Sequence, residues 1–331
     1  MTTPIASHWT DRLPPMLGRG ARAVATTYTR GYNRLPLSIG RGIHRLAIAS
    51  LITQSILIVS GGAVRLTASG LGCSQWPNCM PGTMTPTPEM GIHGLIEFGN
   101  RMLTFVLAAV AIAMIISVWR IRHTHRTVFW LSIALLCFIP IQAVIGGITV
   151  LTDLNPWVVS FHFLASIALV AVATLLVNRT GRESRGEDLV ASGPLTGTMR
   201  SLGWTIAITS ALALILGTVV TGSGPHAGDP SSPRHGFNLY LVTRIHVVPV
   251  YLLVIAAVLG LYLVYRTHAA RALKRGYLIL VVAVLAQGAI GYTQFFLGLP
   301  IGVVLLHMVG TAFLTAAATN VWDRSTGVVP L

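Results

Sequence analysis

Four histidines, one carboxylate and two cysteines are the side chains of this chain whose type and spacing could do chemistry. His93, His162, His246 and His307 fall within or at the ends of long apolar runs, where an ionisable side chain is costly and is usually kept for a function. A neutral imidazole can bind a metal through one ring nitrogen, and two on facing segments can clamp an iron from both sides. Glu97 is the only acid read inside such a run. It follows His93 by four residues and precedes Asn100 by three, which on a helix puts all three on one face. Its carboxylate could relay a proton or act as a base, or simply pair with nearby Arg101; the catalytic reading is preferred because Glu97 would face the same helices as His162. Cys73 and Cys79 stand six apart in one loop. In an oxidising compartment they make a disulfide or a redox pair; metal ligation is the alternative, but no loop histidine has the spacing of a zinc site.

These residues can meet only if the apolar runs bring them together. Of the 331 residues, 53% are hydrophobic and 10% are charged, against about 25% charged in a soluble domain, so the chain belongs in a bilayer. A helix crossing the ~30 Å hydrocarbon layer needs roughly 20 apolar residues. Eight segments supply them: 43–63, 91–118, 128–150, 157–177, 202–221, 243–264, 276–297 and 301–322. The net charge of +14 would suit a nucleic-acid binder if it were clustered, but the basic residues lie between apolar runs, so no nucleic-acid partner is expected. With the N-terminus inside, nineteen of the 23 Lys and Arg residues fall in inside segments, leaving only Arg65, Arg101, Arg234 and Arg244 outside. The positive-inside rule then puts both termini in the cytoplasm. Residues 1–42 hold six arginines and no apolar run, so they do not read as a secretory signal, although they could pass for a mitochondrial transit segment.

The runs also repeat. QAVIGGITVLTDLNPWVVSFH (142–162) aligns without a gap on QGAIGYTQFFLGLPIGVVLLH (287–307), identical at seven of 21 positions including both ends, and GGAVRLTASG (61–70) echoes GTVVTGSG (217–224). A parallel repeat of this kind predicts an all-α integral membrane protein whose eight transmembrane helices form two repeated four-helix bundles. The expected divisions are a cytoplasmic N-terminal segment (1–42), an N-terminal bundle (43–177), a cytoplasmic linker (178–200), a C-terminal bundle (201–322) and a cytoplasmic tail (323–331). His162 and His307 follow Pro156 and Pro300 by six and seven residues, roughly 10 Å into their helices, and His246 lies at similar depth. A lone histidine in a span usually bonds a backbone carbonyl. A repeat-related pair at equal depth points instead to axial ligation of haem iron. Arg101 and Arg244, near the outer interface, could meet haem propionates or snorkel to headgroups. The other histidines (His8, His44, His123, His125, His226, His235, His268) are read mostly as solvated, and Cys137 as a small core residue.

The run GAVRLTASGLGCSQWPNC (62–79), followed by Ile96-Glu97-Phe98-Gly99-Asn100-Arg101, the outer GSGPHAGD (222–229) and the helix histidines 162, 246 and 307 resemble the haem A synthase family, over roughly 43–322. The resemblance implies oxidation of the C8 methyl of haem O to the formyl of haem A, with haem b as cofactor in the C-terminal bundle and substrate haem in the N-terminal one. By the same resemblance His246 and His307, with Arg244, would hold haem b; His162 would face substrate haem; Glu97 would be the essential carboxylate; and Cys73 and Cys79 would be the loop pair. Many members carry Glu-x-x-His-Arg in the second helix, and here Asn100 stands at the histidine position. Either His93, two turns earlier, takes over ligation, or His162 holds the substrate alone, with Asn100 and Arg101 nearby.

Two rival readings are a di-haem, quinol-linked cytochrome b subunit, which needs two complete histidine pairs, and a haem transporter, which the parallel repeat would also suit. The expected partners are haem O, the lipid bilayer, an electron acceptor and, on pathway logic, haem O synthase (protohaem farnesyltransferase). The expected location is a bacterial plasma membrane rather than a mitochondrial inner membrane.

Overall fold

A computed structural model describes residue 24, residues 27–186 and residues 197–327. His8, Arg12, Arg19 and Arg22 of the expected N-terminal segment, residues 187–196 of the expected linker and residues 328–331 of the tail lie outside the described residues. Eight long helices account for nearly all of the rest: α1 (Arg41–Leu66), α2 (Gly91–Val118), α3 (Arg126–Leu151), α4 (Pro156–Ser184), α5 (Gly197–Ser223), α6 (Leu239–Arg266), α7 (Arg271–Phe296) and α8 (Ile301–Thr326). At 26–29 residues each, they run about 39–44 Å, longer than the hydrocarbon layer. All eight are long and apolar enough to cross a membrane, and no strand occurs among the described residues. Large apolar side chains such as Ile116, Phe138 and Ile255 point outward all round the helices, as lipid-facing surfaces require.

The helix starts carry local signals. Asn155 and Asn238 cap α4 and α6, each side chain accepting a backbone N–H of the first turn, and Pro156 opens α4. Pro140 and Pro249 lie inside α3 and α6, which a bundle tolerates because neighbouring helices satisfy the freed carbonyls.

Each half closes on itself. Helices α1 to α4 pack in sequence and α4 returns to α1; α5 to α8 do the same, and the halves meet where α8 lies on α1 and α4, and α4 on α5. This arrangement is in keeping with the repeat. So is a pair of matching hydrogen-bond clusters. Gln142 Nε2 donates to Ser166 Oγ (2.7 Å) and the His162 carbonyl (3.4 Å), and Ser166 Oγ to the same carbonyl (2.9 Å). Gln287 Nε2 donates to Thr311 Oγ1 (2.9 Å) and the His307 carbonyl (2.7 Å), and Thr311 Oγ1 to that carbonyl (2.9 Å).

The two largest apolar clusters both lie toward the arginine-rich end. One joins Ala47, Met114, Val118, Val128, Ala173 and Leu176; the other Ile206, Leu253, Val264, Tyr277, Leu280 and Val321. The histidine-bearing half of each bundle, toward the opposite or loop end, contributes little to either. At the arginine-rich end Asp323, 1% exposed, accepts from Arg179 (2.6 Å), Arg182 (2.7 Å) and Asn178 (3.0 Å), tying α8 to α4.

Three expectations change here. Helices α4 and α8 reach Ser184 and Thr326, beyond residues 177 and 322, because the charges that end the apolar runs neutralise one another inside the protein. Glu97 is therefore not the only acid buried within a helix. Cys137 is exposed on α3 rather than in the core, since its small side chain can face lipid as readily as protein.

Candidate functional site

In the C-terminal half, α6 carries His246 and α8 carries His307, on helices that stand at opposite corners of their ring. Each imidazole lies over a glycine of an adjacent helix: a methyl group on Gly217 of α5 would stand 3.2 Å from His246 Cε1, and one on Gly291 of α7 3.4 Å from His307 Cε1. Nδ1 of both is buried without a hydrogen bond; the Ala213 carbonyl approaches His246 without closing one at bonding geometry. Nδ1 and Cε1 face the glycine of the adjacent helix while Nε2 lies farther from it, which leaves Nε2 as the nitrogen available to a ligand.

The N-terminal half repeats one side of this. His162 on α4 lies over Gly146 of α3 at 3.3 Å by the same measure, and its Nδ1 is likewise buried and unbonded. The opposite side differs. Asn100 on α2 accepts a hydrogen bond from Ser60 of α1 (2.6 Å). His93 is exposed nearer the loop end, where its Nδ1 meets Ser69 Oγ (2.8 Å), itself 2.8 Å from Thr67 Oγ1. It lines an open cavity of about 390 Å³ together with Gly72, Ser74, Met90, Asp229 and Pro230.

Glu97 and Arg101 are bound to the loop between α1 and α2. Glu97 Oε2 accepts the Cys73 backbone N–H (2.7 Å), and Oε1 accepts from Arg101 Nη2 (2.6 Å). Arg101 also donates to the carbonyls of Gln75 (3.0 Å), Asn78 (3.2 Å) and Pro77 (3.4 Å). Cys73 and Cys79 form a disulfide, both fully buried, which removes the metal-ligand reading for this pair. Between them Trp76 lies flat on α3: a methyl group on Gly147 would come within 2.3 Å of its ring. Replacing both cysteines with serine should leave the helices intact and free the loop, since losing a disulfide typically costs about 2–5 kcal/mol. Limited proteolysis should then cut within 67–90 much faster than in the unaltered protein; equal protection would show that the bridge does not hold the loop.

Arg244 sits at the mouth of the C-terminal half, its guanidinium 4.1 Å over the Tyr240 ring and bonded to the Tyr240 hydroxyl.

Sequence reasoning missed the contacts that fasten the loop end. Arg65 reaches from α1 to the carbonyls of His226 (2.7 Å) and Thr221 (3.1 Å), and His226 Nε2 bonds the Leu299 carbonyl (2.9 Å). His235 packs on Trp157 (4.2 Å between ring centres) and stacks on Phe237. Neither His226 nor His235 is solvated as expected. Burial, then the neighbouring positive charge of Arg65, push the His235 pKa below the ordinary histidine value. The echo between 61–70 and 217–224 was the available signal that these two loops meet.

Eight apolar helices define a multi-pass membrane protein, and three half-buried histidines, each with a buried and unbonded Nδ1, lie at equal depth within it. The profile of the cytochrome oxidase assembly protein family matches residues 44–319, and the chain belongs to that family. It is similar to the haem A synthase of Geobacillus kaustophilus, 28% identical over 81% of this chain and 86% of the relative. It is also similar to those of Lysinibacillus sphaericus, 30% over 53% and 56%, and Listeria monocytogenes, 23% over 79% and 88%.

Proposed function

We propose that this chain is a haem A synthase, an oxidoreductase that converts the C8 methyl of haem O to the formyl of haem A for terminal oxidase assembly. The observation that carries this reading is the duplicated imidazole seat, a buried unbonded Nδ1 above a helix glycine, complete as a pair in one half and single in the other. A resident cofactor held by two histidines and a substrate held by one would need that asymmetry. A di-haem electron carrier would need a second pair, and Asn100 is bonded to Ser60 instead.

In this proposal His246 and His307 hold haem b, with Arg244 free to turn from Tyr240 toward a propionate; haem b, when bound, supplies a one-electron relay. His162 binds the substrate iron and orients the macrocycle, with His93 and Asn100 on the facing helix. The farnesyl tail of haem O lies in lipid. Water supplies a hydroxyl to the methyl carbon as two electrons and two protons leave, giving an alcohol; a second such step gives a geminal diol that sheds water to leave the aldehyde, and the electrons of both steps pass to an acceptor. Each Glu97 oxygen keeps a second lone pair, so the carboxylate can hold the loop and still take a proton released at the methyl. Arg101 and the disulfide loop cap the loop end of this half. Residues 43–177 would form the substrate half and 201–322 the haem b half. The arginine-rich end would face the cytoplasm of a bacterial cell with both termini, and the enzyme that farnesylates haem would be the natural supplier.

Pigment extracted from membranes that contain this protein and a haem O source should include haem A. Haem O recovered unchanged, with the protein present and red, would overturn the reading in favour of an electron carrier or transporter.

A further inference from the structure

The two halves differ at one aligned position in a way that bears on how a haem could enter. In the repeat, Gly146 matches Gly291, and the next residue is Gly147 in one half and Tyr292 in the other. Tyr292 reaches across the seam between α7 and α6 and shares a hydroxyl–hydroxyl bond with Tyr251, and its ring stacks on Phe296. That seam is closed by side chains carried on two helices. In the N-terminal half, Gly147 leaves the same place empty of helix side chain, and the indole of Trp76 fills it. The loop on either side of Trp76 is fastened to α2, through Arg101 to the carbonyls of Gln75, Pro77 and Asn78. Trp76 therefore stands between α2 and α3 as a wall that belongs to a loop.

We propose, resting on the function given above, that Trp76 is a substrate-contacting residue and that the α2–α3 seam it closes is where haem passes between lipid and the N-terminal bundle. A cofactor that stays needs a fixed wall; a farnesylated substrate that arrives and leaves at every turnover needs a movable one. A helix-borne tyrosine can yield only by a shift of its helix. A loop tryptophan leaves by changing its rotamer and loosening a few loop hydrogen bonds, the kind of motion by which lids and loops gate other sites. Gly147 is the residue that permits this, because any Cβ there would collide with the indole. The anchors Glu97 and Arg101 return the loop to its closed position.

The test uses purified full-length protein loaded with haem b, with haem O and protohaem as probes. Uptake is followed in the Soret band and release by transfer to a soluble haem-scavenging globin. Trp76→Gly should release either probe at least tenfold faster than the unaltered protein. Adding Gly147→Tyr should bring release back down at least tenfold, by building the wall on the helix. In the other half, Tyr292→Gly should make the retained haem b exchangeable. Trp76→Phe and Trp76→Leu, milder changes, should give graded increases. Release at the unaltered rate from all Trp76 variants overturns the seam, even if haem A is made. Exchange that follows these ratios without haem A formation overturns the catalytic reading alone, and a protein that takes up neither probe overturns both.

Discussion

Purified protein in which His246 and His307 are both alanine will lack the Soret band of haem b, with absorbance falling at least tenfold at unchanged helical content. The expectation follows from how the two side chains are placed. They lie at equal depth on helices at opposite corners of one ring, their imidazoles rest on glycines that leave room, and Nδ1 of each is buried without a hydrogen bond. The apolar clusters that hold the bundle together lie mainly toward the other end, so removing these rings leaves most of the packing in place. His162→Ala is the control: it should weaken binding of haem O and keep haem b. Full Soret absorbance in the double variant would remove the C-terminal half as a haem site and the functional proposal with it.

Asp323→Ala should be the most destabilising single change outside the haem seats, by about 3–5 kcal/mol, because it leaves partnered guanidinium groups buried without a counter-charge. Asp323 is 1% exposed and receives hydrogen bonds from Arg179, Arg182 and Asn178, and these bonds run between the two halves. Thermal loss of structure in detergent would register the change as a large downward shift. Replacing Asp323, Arg179 and Arg182 together with leucine or methionine should recover most of it, since a buried ion cluster exchanged for apolar groups of similar volume is often near neutral. If Asp323→Ala melts like the unaltered protein, the cluster does not hold the halves together.

Most of the helical architecture was legible from hydropathy alone, because a lipid environment demands long apolar helices and leaves few alternatives. The repeat was legible because Gln142 and Gln287 stand the same distance ahead of His162 and His307, and the matching hydrogen bonds of these glutamines give that identity its physical reason. The helix ends at the arginine-rich face were not legible. A hydropathy reading stops at the first charges, and nothing local says that Arg179 will meet Asp323, 144 residues away. The loop end was hidden for a related reason. Trp76 on Gly147 and Arg65 on the His226 carbonyl join irregular segments far apart in sequence, and such contacts leave no periodic trace. Glu97 was read as a catalytic base or an ion-pair partner; its bond to the Cys73 N–H adds a positioning role that no spacing rule suggests.

The Asp323 cluster also orders events during synthesis. Arg179 and Arg182 emerge from the ribosome more than 140 residues before their carboxylate. In the orientation proposed above, both guanidinium groups remain without this carboxylate while the first four helices enter the bilayer, and cationic residues hold a segment on the cytoplasmic side. Only the final turns of the last helix deliver the anion that converts these topology signals into an internal joint. A nascent chain cut short before Asp323 would keep its orientation and never lock.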